Sequence, residues 1–234
     1  MRNKTGHVIE PGVSEVSTGD SRRQLEIVLR ASQCFNTILD IPAVLRTLVA
    51  SAMEMVEARA GMCGLPERGQ LVFTEYNEDG SVRPIDLCFK RGEGVAGHVM
   101  ETRRPYVCND AARDAHVSAE LQRAFGFHSL LAIPVFNPRG ELAACLELHD
   151  KEAGRTFNEH DVAVLEGLAA NAGVALANAR MLVDHERTVK ALSETEREFR
   201  AVFDNALDAM LVADDQGRYV DANRAACQLF CAAR

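Results

Sequence analysis

The spacing of apolar residues changes several times along the chain, and each change marks an element. From Arg22, the residues Leu25, Val28, Leu29, Ser32, Phe35, Ile38 and Leu39 recur at helical spacing. Asp40 caps a second helix with Pro42 in its first turn, and Val44, Leu45, Leu48, Val49, Ala52, Met55 and Val56 carry it to Ala60-Gly61. The period then shortens. Strands are predicted at 61–65, 71–76 and 85–89, separated by the turns Pro66-Glu67-Arg68-Gly69 and Asn77-Glu78-Asp79-Gly80. The glycine-rich Gly92–Gly97 opens a short helix, Pro105–Cys108 is a brief strand, and 118–125 a short helix after a polar loop.

The clearest hairpin joins 129–136 to 141–149 through Asn137-Pro138-Arg139-Gly140. In its second strand Leu142, Ala144, Leu146 and Leu148 are expected to face a packed layer, opposite Ala143, Cys145 and Glu147. Pro134 predicts an edge position or a bulge in the first. A long helix starts at Asn158, with Asp161 completing a capping box and Phe157 and Val162 a hydrophobic staple. Leu165, Leu168, Ala169, Ala172, Leu176 and Ala179 form its buried stripe, and Gly173 among the alanines suggests close approach of another helix. The pattern continues without glycine or proline to Phe203. Leu182, His185, Val189, Leu192, Glu196, Phe199 and Phe203 stand at weak coiled-coil spacing. A strand at 209–213, the turn Asp214–Gly217, a return at 218–220 and a helix capped by Asn223 follow.

Composition narrows the class. The 234 residues are 47% hydrophobic and 26% charged, which suits a soluble globular domain with its own core. The formal net charge of −8 disfavours a nucleic-acid surface. No wholly apolar run approaches the roughly 20 residues of a membrane span, and residues 1–21 lack both a signal-like core and any periodicity. They are expected to be disordered, and the compartment cytoplasmic. The seven cysteines, Cys34, Cys63, Cys88, Cys108, Cys145, Cys227 and Cys231, include no pair before Cys227 at zinc or redox spacing.

Residues from about Gln24 to Met181 resemble a GAF domain. The motifs occur in order: Gly92-Glu93-Gly94-Val95-Ala96-Gly97-His98-Val99, then Thr102-Arg103-Arg104-Pro105 with Asn109-Asp110, then Ser129–Val135 and the Gly140 turn. Phe157-Asn158-Glu159-His160-Asp161 and Asn178-Ala179-Arg180-Met181 close the set. From Phe199 the chain resembles the opening of a PAS domain, through Phe199–Ala206, Ala209–Asp214, Gly217 and Asp221-Ala222-Asn223-Arg224. Residues 22–182 are therefore read as the GAF domain, 183–198 as a connector helix and 199–234 as an incomplete PAS start. The fold expected is α+β. The resemblance implies an antiparallel sheet of five or six strands with helices on both faces. The terminal helices pack together on one face, and the glycine-rich segment and residues 109–127 cover the other.

No local spacing supports chemistry. The histidines His7, His98, His116, His128, His149, His160 and His185 form no HxxxH or HExxH pattern, and the glycine-rich turn lacks the lysine and hydroxyl of a phosphate loop. One GAF branch reduces free methionine sulfoxide with cysteines. Its pattern places cysteine directly after the valine, where this chain has Ala96, although Cys88 and Cys108 flank the region and could exchange disulfides. The Cys-His pair typical of bilin-binding GAF domains is missing. No catalytic residue and no metal ligand are assigned.

Binding fits better, since a sheet covered by loops can enclose a pocket. The resemblance allows a cyclic nucleotide, a small metabolite, a heme or nothing, so the cofactor stays unknown. Candidate lining residues are Cys63, Phe73, Cys88, Val95, Asp110, His116, Phe125, Phe127, Ser129 and Leu131, where polar groups of the cover would orient a ligand against apolar strand residues. The chain is expected to be the sensory and relay part of a bacterial-type signalling protein, in a two-component or cyclic-dinucleotide system. A parallel homodimer through the terminal helices and their coiled-coil continuation is expected, with a small-molecule ligand and neither nucleic acid nor membrane as partner. The alternatives are a structural dimerisation module without ligand and the methionine sulfoxide reductase.

Overall fold

The computed structural model describes residues 18–38 and 40–230. Most of the segment expected to be disordered, 1–17, lies outside the described residues, as do Leu39 and Cys231; residues 18–21 open the first helix. By its contacts the chain divides at Ala179/Arg180 into two units.

The first unit begins with α1 (Thr18–Thr37) and α2 (Ile41–Val56). Asp40 caps α2 by accepting from the Ala43 N–H at 3.1 Å, with Pro42 in the first turn, where its missing N–H costs nothing. The helix ends four residues earlier than its period suggests. Glu57 takes a left-handed conformation (φ 53°, ψ 49°), which turns the chain directly into β1 (Ala58–Glu67). β2 (Gln70–Glu78), β3 (Ser81–Lys90), β4 (Tyr106–Cys108), β5 (Leu130–Phe136) and β6 (Leu142–Lys151) complete one antiparallel sheet of six strands in the order β3-β2-β1-β6-β5-β4. β4 pairs only with Leu130–Ala132, so at Pro134 the strand is an edge, and the absent N–H breaks no ladder there.

Two buried layers flank this sheet. On one face α1, α2 and the first part of α5 (Glu159–Asn205) bury Phe35, Leu48, Leu165, Leu168 and Leu176 against Leu131, Ile133, Leu146 and Leu148. On the other, α3 (Gly94–Thr102), α4 (Ala119–Phe125) and the loop between β4 and α4 cover Leu71, Phe73, Tyr76 and Cys145.

Several side chains differ from their expected faces. On α1 the buried stripe is Ile27, Ala31 and Phe35, while Leu25 and Leu29 are more than half exposed, so the stripe is rotated from the apolar pattern. A register shift at the β5–β6 turn places Leu142 with the α3/α4 layer and Ala143 with the helical layer, the reverse of strict alternation. Gly173 packs on a strand end, not on a helix: a Cβ there would stand 1.9 Å from the Phe136 carbonyl oxygen.

The start of α5 is fixed as a reciprocal capping box. Asn158 Oδ1 accepts from the N–H groups of His160 and Asp161, and Asp161 Oδ2 accepts from the Asn158 N–H. Asp161 also receives both bonds of a buried ion pair from Lys151 Nζ, at 2.8 and 2.9 Å. Within α5 an 18-residue window reaches a mean hydropathy of 1.4, enough by length and composition to cross a membrane. The cause is the row of Leu and Ala that α5 buries against the sheet.

The second unit holds the rest of α5, the hairpin β7 (Leu211–Ala213) and β8 (Tyr219–Ala222), and α6 (Arg224–Leu229). Fully buried Asn223 organises it. Its amide donates to the carbonyls of Phe203 and Asp208, and its Oδ1 accepts from the N–H groups of Met210 and Ala226.

Candidate functional site

The glycine-rich turn is a hinge of packing. A Cβ on Gly97 would lie 2.1 Å from the Lys90 carbonyl oxygen, so only glycine lets α3 sit this close to the end of β3. The Gly92 N–H and the Gly97 carbonyl close the loop at 2.9 Å. These groups bond to each other, so the turn is a structural clasp rather than a phosphate cradle.

Beyond the clasp, α3, α4 and residues 116–118 roof a cavity over β1, β3, β5 and β6. Its free volume is about 30 Å³, room for a water or two. Met62, Leu87, Phe89, Val95, Leu121, Phe125 and Phe127 make it mostly apolar. Its polar side is a buried chain that sequence reasoning missed. The Tyr76 hydroxyl is 3.0 Å from His149 Nδ1, and His149 Nε2 is 2.9 Å from Glu147 Oε1. With Glu147 ionised, the ring donates through Nε2, and neutral Nδ1 accepts from the phenol. Phe127 stacks on His149 at 4.1 Å, and Phe125 packs on Tyr76 at 4.6 Å. The Arg83 guanidinium caps both Tyr76 and Phe125, within 5 Å of each ring. Burial, reinforced by Glu78, pushes the Tyr76 phenol well above its usual range, so it remains a donor.

A second polar group sits on the roof. The rings of His98 and His116 lie 4.1 Å apart, tilted by 39°, with Tyr106 edge-on to both. The Tyr106 hydroxyl donates to both Asp114 oxygens, and the His116 N–H donates to one. Burial by itself would raise the Asp114 carboxyl; hydrogen bonds from Tyr106, His116 and Cys108 outweigh it and hold the group below the usual range. Burial also pushes the Cys108 thiol up to about 11, away from thiolate chemistry. Among the described residues, no three His, Cys, Asp or Glu side chains converge as metal ligands.

Of the ten candidate lining residues, Val95, His116, Phe125 and Phe127 meet at this cavity, and Phe73 is buried in the same layer. Cys63 and Leu131 lie on the opposite face, because strand alternation turns them toward α2 and α5. Cys88 is exposed on β3, and exposed Asp110 pairs with Arg113. Ser129 is held outside the cavity, where its N–H and Oγ donate to Asp150. Cys88 and Cys108 belong to the two opposite edge strands, five strand spacings or roughly 24 Å apart if the sheet were flat. A disulfide needs Cα atoms within about 7 Å, so the strand order opposes exchange between them. Glu147 and His149 had one readable signal, two polar residues at alternate positions of a largely apolar strand.

Residues 39–177 match the family model of the GAF domain, and residues 197–233 that of a PAS domain. A Drosophila melanogaster dual 3',5'-cyclic-AMP and -GMP phosphodiesterase 11 is 28% identical over 101 residues, 42% of this chain and 7% of that protein. The chain thus spans less than a tenth of that curated relative. The GAF domain of a Coxiella burnetii phosphoenolpyruvate-protein phosphotransferase aligns over 70% of this chain and 98% of its own, with a TM-score of 0.58 and 22% identity. The free methionine-R-sulfoxide reductase of Neisseria meningitidis aligns over 72% and 96%, with a TM-score of 0.56 and 16% identity. At these identities the two structures speak to fold alone.

Proposed function

Because the chain belongs to the GAF domain family, we propose that it is the sensory and relay part of a cytoplasmic signalling protein. In this reading a small molecule, with a cyclic nucleotide as the first candidate, acts on the covered face. The observation that carries it is the roofed cavity with His149 and Glu147 in its wall and Tyr76 bonded to His149 behind them, an apolar chamber with a few convergent polar groups. The cyclic-nucleotide phosphodiesterase relative supports that choice of ligand.

A nucleotide needs several hundred Å³, against about 30 Å³ here, so binding requires α4 and residues 116–118 to lift. That requirement makes binding and conformational change one event, because the ligand favours only the opened state. Helix α5 enters the sheet-packed core at one end and continues toward the PAS start, a route for the shift. Dimerisation is assigned to α1 and α5, which expose Leu25, Leu29 and Val174, and Val189, Leu192 and Phe199 further along. A histidine kinase or a cyclic-dinucleotide enzyme is the expected parent.

Calorimetry and thermal melting with cyclic GMP and cyclic AMP test the reading. A saturable rise in melting temperature is expected, reduced when His149 is changed to Phe. No shift with either nucleotide would sink the ligand assignment. The small closed volume favours one second reading, a ligand-free dimerisation module, which predicts a dimer and no shift. The reductase alternative is opposed by buried Ala96 at the position of that branch's cysteine and by the separation of Cys88 from Cys108.

A further inference from the structure

A cavity larger than the roofed one lies on the other face of the sheet. Helix α2 covers β1 but leaves β2 and β3 partly bare, and Val82 on β3 is about half exposed. Between them runs a groove of about 240 Å³, walled by Pro42, Leu45, Val49, Leu65 and Val82. Gly61 keeps its floor free of a side chain, since a Cβ there would press on Leu148 and Val49.

Two polar features define what fits. Asn77, paired in register with Gly61 and Val82, lines the groove, and its Oδ1 is buried with no hydrogen-bond donor in reach. Buried acceptors are nearly always satisfied, so this one calls for a donor, which a molecule in the groove supplies once the half-buried Asn77 side chain turns toward it. The rim carries no spare positive charge. Arg46 is committed to Glu75 through two bonds, at 2.7 and 2.5 Å, and Glu67 adds a carboxylate. Anions are therefore excluded.

We propose that this groove is a second ligand site, for a neutral, largely apolar molecule of about ten heavy atoms that donates one hydrogen bond to Asn77 Oδ1. The size follows by scaling from benzene, which fills an engineered apolar cavity of about 150 Å³. The site is separate from the roofed cavity, and the sheet lies between them.

Indole is a probe of this size and chemistry. The chain has no tryptophan, so indole emission reports its own environment when excited beyond the tyrosine band. A saturable blue shift on titration with the full chain is expected. N-methylindole, which lacks the donor, should bind about tenfold more weakly. Asn77→Leu should bring the two probes to equal affinity, a readout that general loosening of the fold would not produce. Val82→Phe, at an exposed position, should abolish saturable binding of both with an unchanged melting temperature. Val117→Phe, which fills the roofed cavity, should leave the titration unaltered. The proposal is overturned by absence of saturable binding, by equal affinity of the two probes for the unaltered chain, or by loss of binding in Val117→Phe instead of Val82→Phe. It is equally overturned if Val82→Phe changes the sedimenting mass, because the groove then belongs to an interface between two copies.

Discussion

The Tyr76 hydroxyl on β2 and the His149 ring on β6 meet at 3.0 Å across the strand that separates them, β1. Glu147 holds the far nitrogen of the ring, and Phe127 covers its face. A polar chain in an apolar layer is tolerable only when every member has a partner. Changing Tyr76 to Phe leaves His149 Nδ1 buried and unpaired, and should cost about 1–3 kcal/mol in urea denaturation. Combined with His149→Ala, the two losses should fall short of additive by more than about 0.5 kcal/mol. Simple additivity would mean that the contact carries no energy.

The Lys151–Asp161 pair gives an asymmetric prediction. Both side chains are more than nine-tenths buried, and Asp161 also caps α5. Asp161→Ala strands an ammonium group and uncaps the helix, and should cost about 3–5 kcal/mol. The double change Lys151→Met with Asp161→Asn keeps much of the cap and removes the buried charges, and should recover most of that loss. Equal stability of the single and double variants would contradict this account.

Acid should weaken the fold through named carboxylates. Burial would raise the Asp150 carboxyl, but the His128 and Ser129 N–H groups, with their side chains, hold it low; Asp114 is held low in the same manner. The unfolded chain therefore takes up these protons at higher pH than the native one. Their stabilisation is complete above the unfolded value of about 4 and is lost as pH falls through the lower folded values. Urea midpoints measured from about pH 5 down to pH 2 should fall, and Asp150→Asn should make that fall shallower. An identical slope in the variant would remove Asp150 from the explanation.

The apolar residues left outside on α1 and α5 predict association. Light scattering at micromolar concentration should give twice the chain mass, and Leu25→Glu with Leu29→Glu should shift it toward the monomer. A concentration-independent monomer in the unaltered chain would exclude the helices as a dimer interface.

Helix starts were legible because capping is local. Asp40, Asn158 and Asn223 each satisfy N–H groups two or three residues ahead, so the motif and its partner lie in one short window. The β5–β6 hairpin was legible for the same reason, through its turn residues and alternation. The motif Phe157–Asp161 was readable as a cap, but not as the receiver of Lys151, nor of the two bonds between Asn109 and the Phe157 backbone. The rotation of the α1 stripe was hidden because Leu25 and Leu29 are as apolar as the residues that are buried.

Period, caps and turns are properties of neighbouring residues, and through them the sequence by itself determined the elements and their order; the antiparallel arrangement of the sheet was implied by the resemblance to GAF domains. Which residues share a cavity was decided only by the tertiary structure. Cys63 and Leu131 left the covered face because alternation along β1 and β5 turns them to the other side, and no local signal says which parity faces which layer. Tyr76 and His149 joined that face although 73 positions separate them. A hydrogen bond between strands depends on their register, and register is set by the packing of both sheet faces at once.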